Sequence, residues 1–216
     1  MTPVLYDYWR SSAAYRVRIV LNLKGVAYDS VAVDLTQGAQ RAPAYLARNP
    51  QGLVPALDVG TAVLTQSLAI IDYLDATCPA TPMLPRDPIA RSRVLAQALS
   101  VVADLHPIDN LRVLNRLTEQ FGADEAARRA WYVHWVETGL SALEEMAAET
   151  AGPLLGGDRP NLADACLVPQ LYNARRFDVA LDRFPRLVAA DAAAATIAEI
   201  AAAHPDQVKP RAATPA

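Results

Sequence analysis

Val4-Leu5-Tyr6-Asp7-Tyr8-Trp9-Arg10-Ser11-Ser12-Ala13-Ala14-Tyr15-Arg16-Val17-Arg18-Ile19-Val20-Leu21 carries a short apolar strand through Arg-Ser-Ser into a helical pattern. The helix reads from Ser11 to Lys24 and closes at Gly25. Ser11 and Arg10 therefore sit where the first amides of a helix lack internal partners, which is a ready anion site. Either Ser11 or Ser12, taken alone, is explained equally well as a plain helix cap.

The chain after this stretch keeps alternating. Tyr28 to Asp34 reads as a strand with Val31, Val33 and Leu35 in alternation, and Pro43 to Arg48 as a short helical turn. Val54 to Asp58 and Ala62 to Thr65 flank Val59-Gly60 as a hairpin, and Ser67 to Ala76 is a helix that ends before Pro79. The order β-α-β-α-β-β-α fits an α/β thioredoxin-like sheet layered between helices. Four prolines then follow closely, Pro79, Pro82, Pro85 and Pro88, and mark a boundary. Beyond it strand signals stop. Ile89 to Leu117, Asp124 to Glu149, Leu162 to Arg176 and Leu187 to Ala203 all carry apolar residues at helical spacing. The reading is a thioredoxin-like domain at 1–80, a linker at 81–87 and an all-α domain at 88–216, with a loosely held tail from His204. Asn161-Leu162-Ala163-Asp164 is a helix start, Asn161 accepting from first-turn amides and Asp164 favouring the positive end.

Composition removes several classes of function. The 216 residues suit two domains at roughly 100–200 residues each. A net charge of −3 offers no general nucleic-acid surface. No apolar run approaches the roughly 20 residues of a membrane span. Asp7 and Arg10 interrupt any signal-peptide core. Cys78 and Cys166 lie in separate pattern segments, so a reduced, cytoplasmic protein is expected, and no metal is called for.

Two further signals accompany Ser11. Gln51-Gly52-Leu53-Val54-Pro55-Ala56-Leu57 enters a strand at a proline, and Gln66-Ser67 heads a helix. Each has a bland reading, Pro55 as a trans edge-strand proline and Ser67 as a cap. Their order and spacing, with Ser-Ser-x-x-Tyr-Arg-Val-Arg-Ile, nevertheless resemble the glutathione transferases, and specifically the zeta class, the maleylacetoacetate and maleylpyruvate isomerases. The resemblance runs from Val4 to about Pro205. It implies a cis Val54–Pro55 bond, with the Val54 backbone pairing with the cysteinyl part of glutathione as an added strand. It further implies that Gln66, Ser67 and helix-terminal amides hold the γ-glutamyl carboxylate, that Gln40 reaches the tripeptide, and that Ser11 donates to the glutathione sulfur. A free thiol ionises near pH ~8.5. A charge-assisted hydrogen bond of roughly 1.5–3 kcal/mol and a helix terminus of about 0.3–1 kcal/mol would lower that by one to two units. The animal enzymes of the class resemble Ser-Ser-Cys where this chain has Ser11-Ser12-Ala13, so no protein thiol is available at that point.

In the second domain, Asp104-Leu105-His106-Pro107-Ile108-Asp109-Asn110-Leu111-Arg112 is similar to the bacterial isomerases' Asp-x-His-Pro-x-x-Asn segment. Leu167-Val168-Pro169-Gln170 followed by Arg175-Arg176 resembles the class's Leu-Val-Pro-Gln motif. By that match Arg10, Arg112 and Arg176 face a small dicarboxylate keto acid, which guanidinium grips with two parallel bonds, and His106 binds substrate or glutathione. Read alone, Arg112 and Arg175 are surface charges, His106 serves a bent helix before Pro107, and Cys166 is a small core residue. The resemblance implies a homodimer and a glutathione-dependent cis–trans isomerase acting on maleylpyruvate or maleylacetoacetate in the breakdown of aromatic compounds. The competing readings are a glutathione transferase or dehalogenase acting on small electrophilic acids, and a non-catalytic interaction protein of the same fold.

Overall fold

The computed structural model describes residues 1–209 and resolves two compact units, residues 1–83 together with the segment from Thr196 onward, and residues 84–195. In the first unit β1 (Val4–Asp7) pairs parallel with β2 (Asp29–Ala32) and antiparallel with β3 (Ala56–Asp58), which pairs antiparallel with β4 (Val63–Thr65). The strand order is β2-β1-β3-β4. The parallel pair requires a crossover, which α1 (Ser12–Leu23) supplies. α2 (Pro43–Leu46) precedes β3, and α3 (Ser67–Thr77) follows β4. This is the expected thioredoxin-like order. β1 separates two layers by its period of two. Asp7 is buried and bonds into α1, whereas Tyr6 and Tyr8 pack with a cluster of Val33, Tyr45 and Val54. α1 is buried from Ala14 through Leu21 on every side, as a helix enclosed by neighbours must be.

One strand expectation changes. The second strand is shorter than Tyr28–Asp34, and all four residues of β2 are exposed because it is an edge strand. Val33, one residue beyond it, is the side chain that reaches the core.

α1 is unusual in burying two arginines. Arg18 Nη1 donates to both oxygens of Asp7 at 2.7 Å, Nη2 to the Trp9 carbonyl at 3.0 Å, and Nε to the Ala203 carbonyl at 3.1 Å. Burial raises the Asp7 carboxyl above its ordinary value, and Arg18 pulls against that shift. Asn22 adds a bond to the Glu199 carbonyl at 2.9 Å. These polar ties explain a second difference from the sequence reading. The helical pattern at Leu187–Ala203 splits, α9 (Pro185–Ala195) staying in the second unit while α10 (Ala198–Ala202) packs on α1. The helical domain therefore ends near Ala195 rather than running to 216. The tail expected to be loose from His204 forms α11 (Pro205–Val208) with Pro205 buried, and residues 210–216 lie outside those described. At the other boundary, Lys24 Nζ bonds the Cys78 and Thr81 carbonyls and pairs with Asp75, fixing the approach to the proline-rich linker.

The second unit is helical throughout its regular elements: α4 (Pro88–Leu99), α5 (His106–Ile108), α6 (Leu111–Phe121), α7 (Glu125–Ala147), α8 (Leu162–Arg176) and α9. The pattern expected to continue from Ile89 to Leu117 is interrupted by a π-helical stretch, Ser100–Leu105. Pro107 accounts for it. Proline has no N–H and its ring crowds the carbonyl four residues back, so the helix widens ahead of it, and the His106 amide bonds Val101 five residues back. Asn161 caps α8 as expected, accepting from the Ala163 amide at 2.7 Å. Asp164 does more than favour the positive end. Its carboxylate accepts from the Leu155, Gly156 and Asn161 amides at 2.8–2.9 Å, and burial pushes its pKa up to about 6. Cys166 is a fully buried core residue in this helix. No helix among the described residues is long and apolar enough to cross a membrane.

Arg18→Met strands a buried carboxylate and should cost about 3–5 kcal/mol in urea unfolding. The double variant Asp7→Leu/Arg18→Met should recover most of that loss, because the expense lies in the unpaired charge. A double variant as unstable as the single one would mean that the Trp9 and Ala203 bonds, not the ion pair, carry the stability.

Candidate active site

In the first unit, the strand-to-helix turn places Ser11 as the cap of α1. Its Oγ accepts from the Ala14 amide at 3.3 Å, so the hydroxyl proton remains free to donate outward. Ser12 is buried, which separates the two serines that the sequence alone left equivalent. Five residues along α1 from Ser11, the buried Arg16 donates from Nη1 to Ser67 Oγ at 3.2 Å. Ser67 is the first residue of α3 and is itself buried. A guanidinium and a helix N-terminus thus converge on one hydroxyl, an arrangement suited to a carboxylate. Sequence reasoning missed Arg16, because a helical pattern does not reveal which arginine is buried.

Gln66, just ahead of Ser67, holds φ 68°, a left-handed value rare for a residue with a side chain. Such a residue costs on the order of 1–3 kcal/mol and persists where surrounding structure enforces it. Gln51 supplies part of that, its Oε1 accepting from Gln66 Nε2 at 2.9 Å. The Gln51–Pro55 loop is organised by two groups the sequence did not single out. Tyr45 Oη and Asn49 Nδ2 both donate to the Leu53 carbonyl, at 2.6 and 2.7 Å, and Asn49 Oδ1 accepts from the Gln51 amide at 3.1 Å. Burial pushes the Tyr45 phenol up to about 12, so it remains a donor. Val54–Pro55 is cis, and the Val54 side chain is buried in the Val33–Tyr45 cluster. Gly52, at φ 61°, leaves room for the Gln40 carbonyl, which would lie 3.2 Å from a Cβ there. The Gln40 side chain has its Oε1 buried with no partner among the described residues. Gln40, Val54, Pro55, Gln66 and Ser67 are thereby linked through Gln51, Asn49 and Gly52, and Arg16 ties Ser67 to the helix that Ser11 caps.

Arg10 points elsewhere. Its Nη2 donates to Tyr8 Oη at 2.9 Å and its guanidinium lies 4.8 Å over the Trp9 ring. It lines a cleft of about 340 Å³ with Trp9, Asp34 and Thr36, and Ser11 does not line that cleft. Hydrogen bonds from Thr36 hold the Asp34 carboxyl below its ordinary value, with a smaller pull from Arg10.

In the second unit, Arg112 is exposed in the first turn of α6, which Asn110 caps by accepting from the Arg112 amide at 3.1 Å. Arg175 and Arg176 separate cleanly. Arg175 pairs with Asp191 at 2.6 Å, whereas Arg176 is exposed, bonded to Asn173 at 2.9 Å and set beside the Tyr172 and Phe177 rings. His106 stands where the π stretch meets α5, and Trp131 Nε1 fixes that segment by donating to the Ile108 carbonyl at 3.0 Å. Next to it, Asp109 is 8 % exposed, and burial pushes its pKa up to about 7.

Residues 1–76 match the family model described as glutathione S-transferase, N-terminal domain. A maleylacetoacetate isomerase from Rhizobium meliloti (strain 1021) is 56% identical over 208 residues, covering 96% of this chain and 98% of its own. A solved holo structure of a maleylpyruvate isomerase, described as a bacterial glutathione S-transferase in the zeta class, is 45% identical with a TM-score of 0.94, covering 97% of this chain and 100% of that one. A maleylacetoacetate isomerase from Anaeromyxobacter dehalogenans 2CP-1, solved with dicarboxyethyl glutathione and citrate in its active site, is 42% identical with a TM-score of 0.86 and covers 96% of each chain.

Two outcomes follow from this geometry. Gln66→Gly should raise stability by about 1 kcal/mol, the relief of roughly 1–3 kcal/mol of strain less about 0.5–1 kcal/mol of glycine entropy, while loosening the loop that Gln51 joins. Thermal unfolding checks it, and a variant that melts lower would mean Gln66 is unstrained. Asp109 holds its proton up to about pH 7 when folded but releases it near 3.8 when unfolded. Wild-type stability relative to Asp109→Asn should therefore fall between pH 4 and 7 and level off above, by on the order of 4 kcal/mol at most. Parallel unfolding curves at pH 4 and pH 8 would contradict it.

Proposed function

The chain belongs to the zeta class of glutathione transferases, and from that membership we propose that it is a glutathione-dependent cis–trans isomerase of a maleyl keto acid. The observation that carries this reading is the linked set Gln40, Gln66 and Ser67, with Arg16 tying Ser67 to the helix that Ser11 caps. That set suits a tripeptide. Gln40 brings an acceptor with no donor among the described residues, Ser11 an unused hydroxyl proton, and Ser67 a hydroxyl backed by Arg16 at a helix N-terminus. When bound, glutathione supplies a thiolate whose reversible addition to the cis double bond leaves the central bond single and free to rotate.

The protein's own residues do the rest. Ser11 donates a hydrogen bond to the sulfur and favours its ionised form. Ser67, Gln66 and the α3 amides hold the γ-glutamyl carboxylate, and the Val54 backbone pairs with the cysteinyl unit. Arg112 and Arg176, both exposed in the helical unit, take the substrate carboxylates, and His106 adds a polar contact. Arg10, on the turn ahead of Ser11, is assigned a substrate carboxylate as well, which requires it to give up its charge-assisted bonds to Tyr8 Oη, worth about 1.5–3 kcal/mol. The reading includes a cytoplasmic homodimer that serves the breakdown of aromatic compounds.

Purified protein mixed with maleylpyruvate should convert it to the fumaryl isomer only when glutathione is present, with glutathione recovered intact by NMR. A stable thioether product would move the assignment to conjugation. Ser11→Ala should lower kcat about 10- to 100-fold, the equivalent of 1.5–3 kcal/mol, while the protein still binds a glutathione column. Unchanged turnover in that variant would remove Ser11 from the mechanism.

A further inference from the structure

α1 buries two guanidiniums, and they end on different kinds of group. Arg18 meets the Asp7 carboxylate at 2.7 Å, inside the protein. Arg16, 1 % exposed, sends Nη1 to the Ser67 hydroxyl oxygen at 3.2 Å, reaching from α1 to the first residue of α3. The helix it reaches begins differently from those of the second unit. Asp87, Asn110, Asp124 and Asn161 each accept from a first-turn amide of the helix they start, whereas the Gln66 side chain makes no such bond at the head of α3. Ser67 directly follows the exposed Gln66. An acceptor supplied from outside therefore meets the Ser67 hydroxyl together with amides that no side chain caps.

The Arg16 bond fixes what that hydroxyl does. A serine hydroxyl carries one donor and two acceptor lone pairs, so by itself it suits a carboxylate or an ammonium equally. A guanidinium has donors only and is not deprotonated in proteins. Ser67 Oγ is therefore the acceptor, and its own proton is turned away from Arg16. No acceptor among the described residues takes that proton. Hydrogen bonds in series polarise one another, and more so out of water, so a cation behind the oxygen makes the O–H in front a stronger donor to an anion. One helix then serves both ends of a bound tripeptide. Ser11, at its cap, meets the sulfur, and Arg16 governs the other end through Ser67.

We infer that Arg16 is the positioning residue that turns Ser67 into a one-way hydrogen-bond donor and so sets the preference for a ligand carboxylate at the head of α3. This rests on the reading given above, in which the γ-glutamyl carboxylate of glutathione lies there. Arg16 itself touches no ligand: it acts through the Ser67 oxygen. Without it the serine is free to rotate its proton, and the site loses much of its reason to prefer an anion over a neutral group.

Calorimetric titration of the full chain with glutathione and with γ-aminobutyryl-cysteinyl-glycine, which is glutathione lacking only the γ-glutamyl carboxylate, measures that preference directly. Each variant is first shown to melt cooperatively. Wild type should bind glutathione about 100-fold more tightly than the analogue, the weight of a charge-assisted hydrogen bond. Arg16→Met and Arg16→Gln should each cut that ratio about 10-fold while affinity for the analogue stays within about threefold of wild type. Arg16→Gln keeps a polar group at the buried position, brings an oxygen able to take the Ser67 proton, and is the variant read if Arg16→Met does not fold. In a Ser67→Ala background the same Arg16 change should shift the ratio by less than about threefold. A general loss of packing would instead weaken both ligands alike and persist without the hydroxyl. A ratio within threefold of wild type in the Arg16 variants, or equal losses for both ligands, overturns the inference. Wild-type protein that binds the two ligands equally would overturn the placement of the γ-glutamyl carboxylate on which it rests.

Discussion

The first unit depends on one guanidinium. Arg18 sits at 1 % exposure and spends its donors on the Asp7 carboxylate at the end of β1, the Trp9 carbonyl in the turn and the Ala203 carbonyl near the chain's end. Bringing an ion pair out of water costs several kcal/mol per charge, and only full hydrogen bonding offsets it. Well-packed apolar residues at positions 7 and 18 would come close to the same stability. What they would lack is direction. The turn that presents Ser11 is only three residues long, and its entry is clamped by Asp7 while its carbonyl at Trp9 is held by the same side chain.

That clamp clarifies which parts of the molecule the sequence displayed. Ser11, Gln66-Ser67 and Val54-Pro55 were legible because helix starts and strand entries carry local signatures that survive without tertiary contacts. The capping pair Asn161 and Asp164 was legible for the same reason. Arg16 and Arg18 were not. They differ by two positions on a helix, entered the sequence reading only as members of a motif with no role of their own, and their burial follows from α1 being enclosed on all sides. Asn49 and Gln51 were equally silent, since their role is to bond carbonyls and side chains across a loop. The assignment of α10 to the first unit was hidden because its sequence is apolar at helical spacing, whichever unit it packs on.

Strain and order are also traded within the first unit. Gln66 is held at φ 68°, and the bonds that hold its neighbourhood come from outside its own helix, from Gln51 and from Arg16 through Ser67. The loops at Gln40 and Gly52 are in contact through backbone atoms, so ordering one orders the other. A ligand that bonds Gln40, Gln66 and Ser11 together therefore meets groups already positioned, and less ordering entropy opposes its binding.

The helical unit solves a different problem. Where the first unit satisfies nearly every buried charge internally, the segment from Ser100 to Arg112 is built around an interruption. Pro107 removes one amide from the ladder, the preceding turns widen to the π form, and α6 must begin afresh at the Asn110 cap. Asp109 lies in the gap between these elements, and neither of its carboxyl oxygens has a partner among the described residues. Asp87 and Asp124 meet the amides of the helices they cap, and Asp164 gathers three amides in the same unit, so an aspartate there finds donors when local geometry allows it. At position 109 the proline-induced break denies them. The same break puts Arg112 at the start of a new helix and His106 at the end of an old one. An ordinary α-helix through this stretch would set these three side chains, each three residues from the next, about 60° apart along one face. The interruption gives each its own backbone frame, and it leaves the carboxyl of Asp109 buried without a partner.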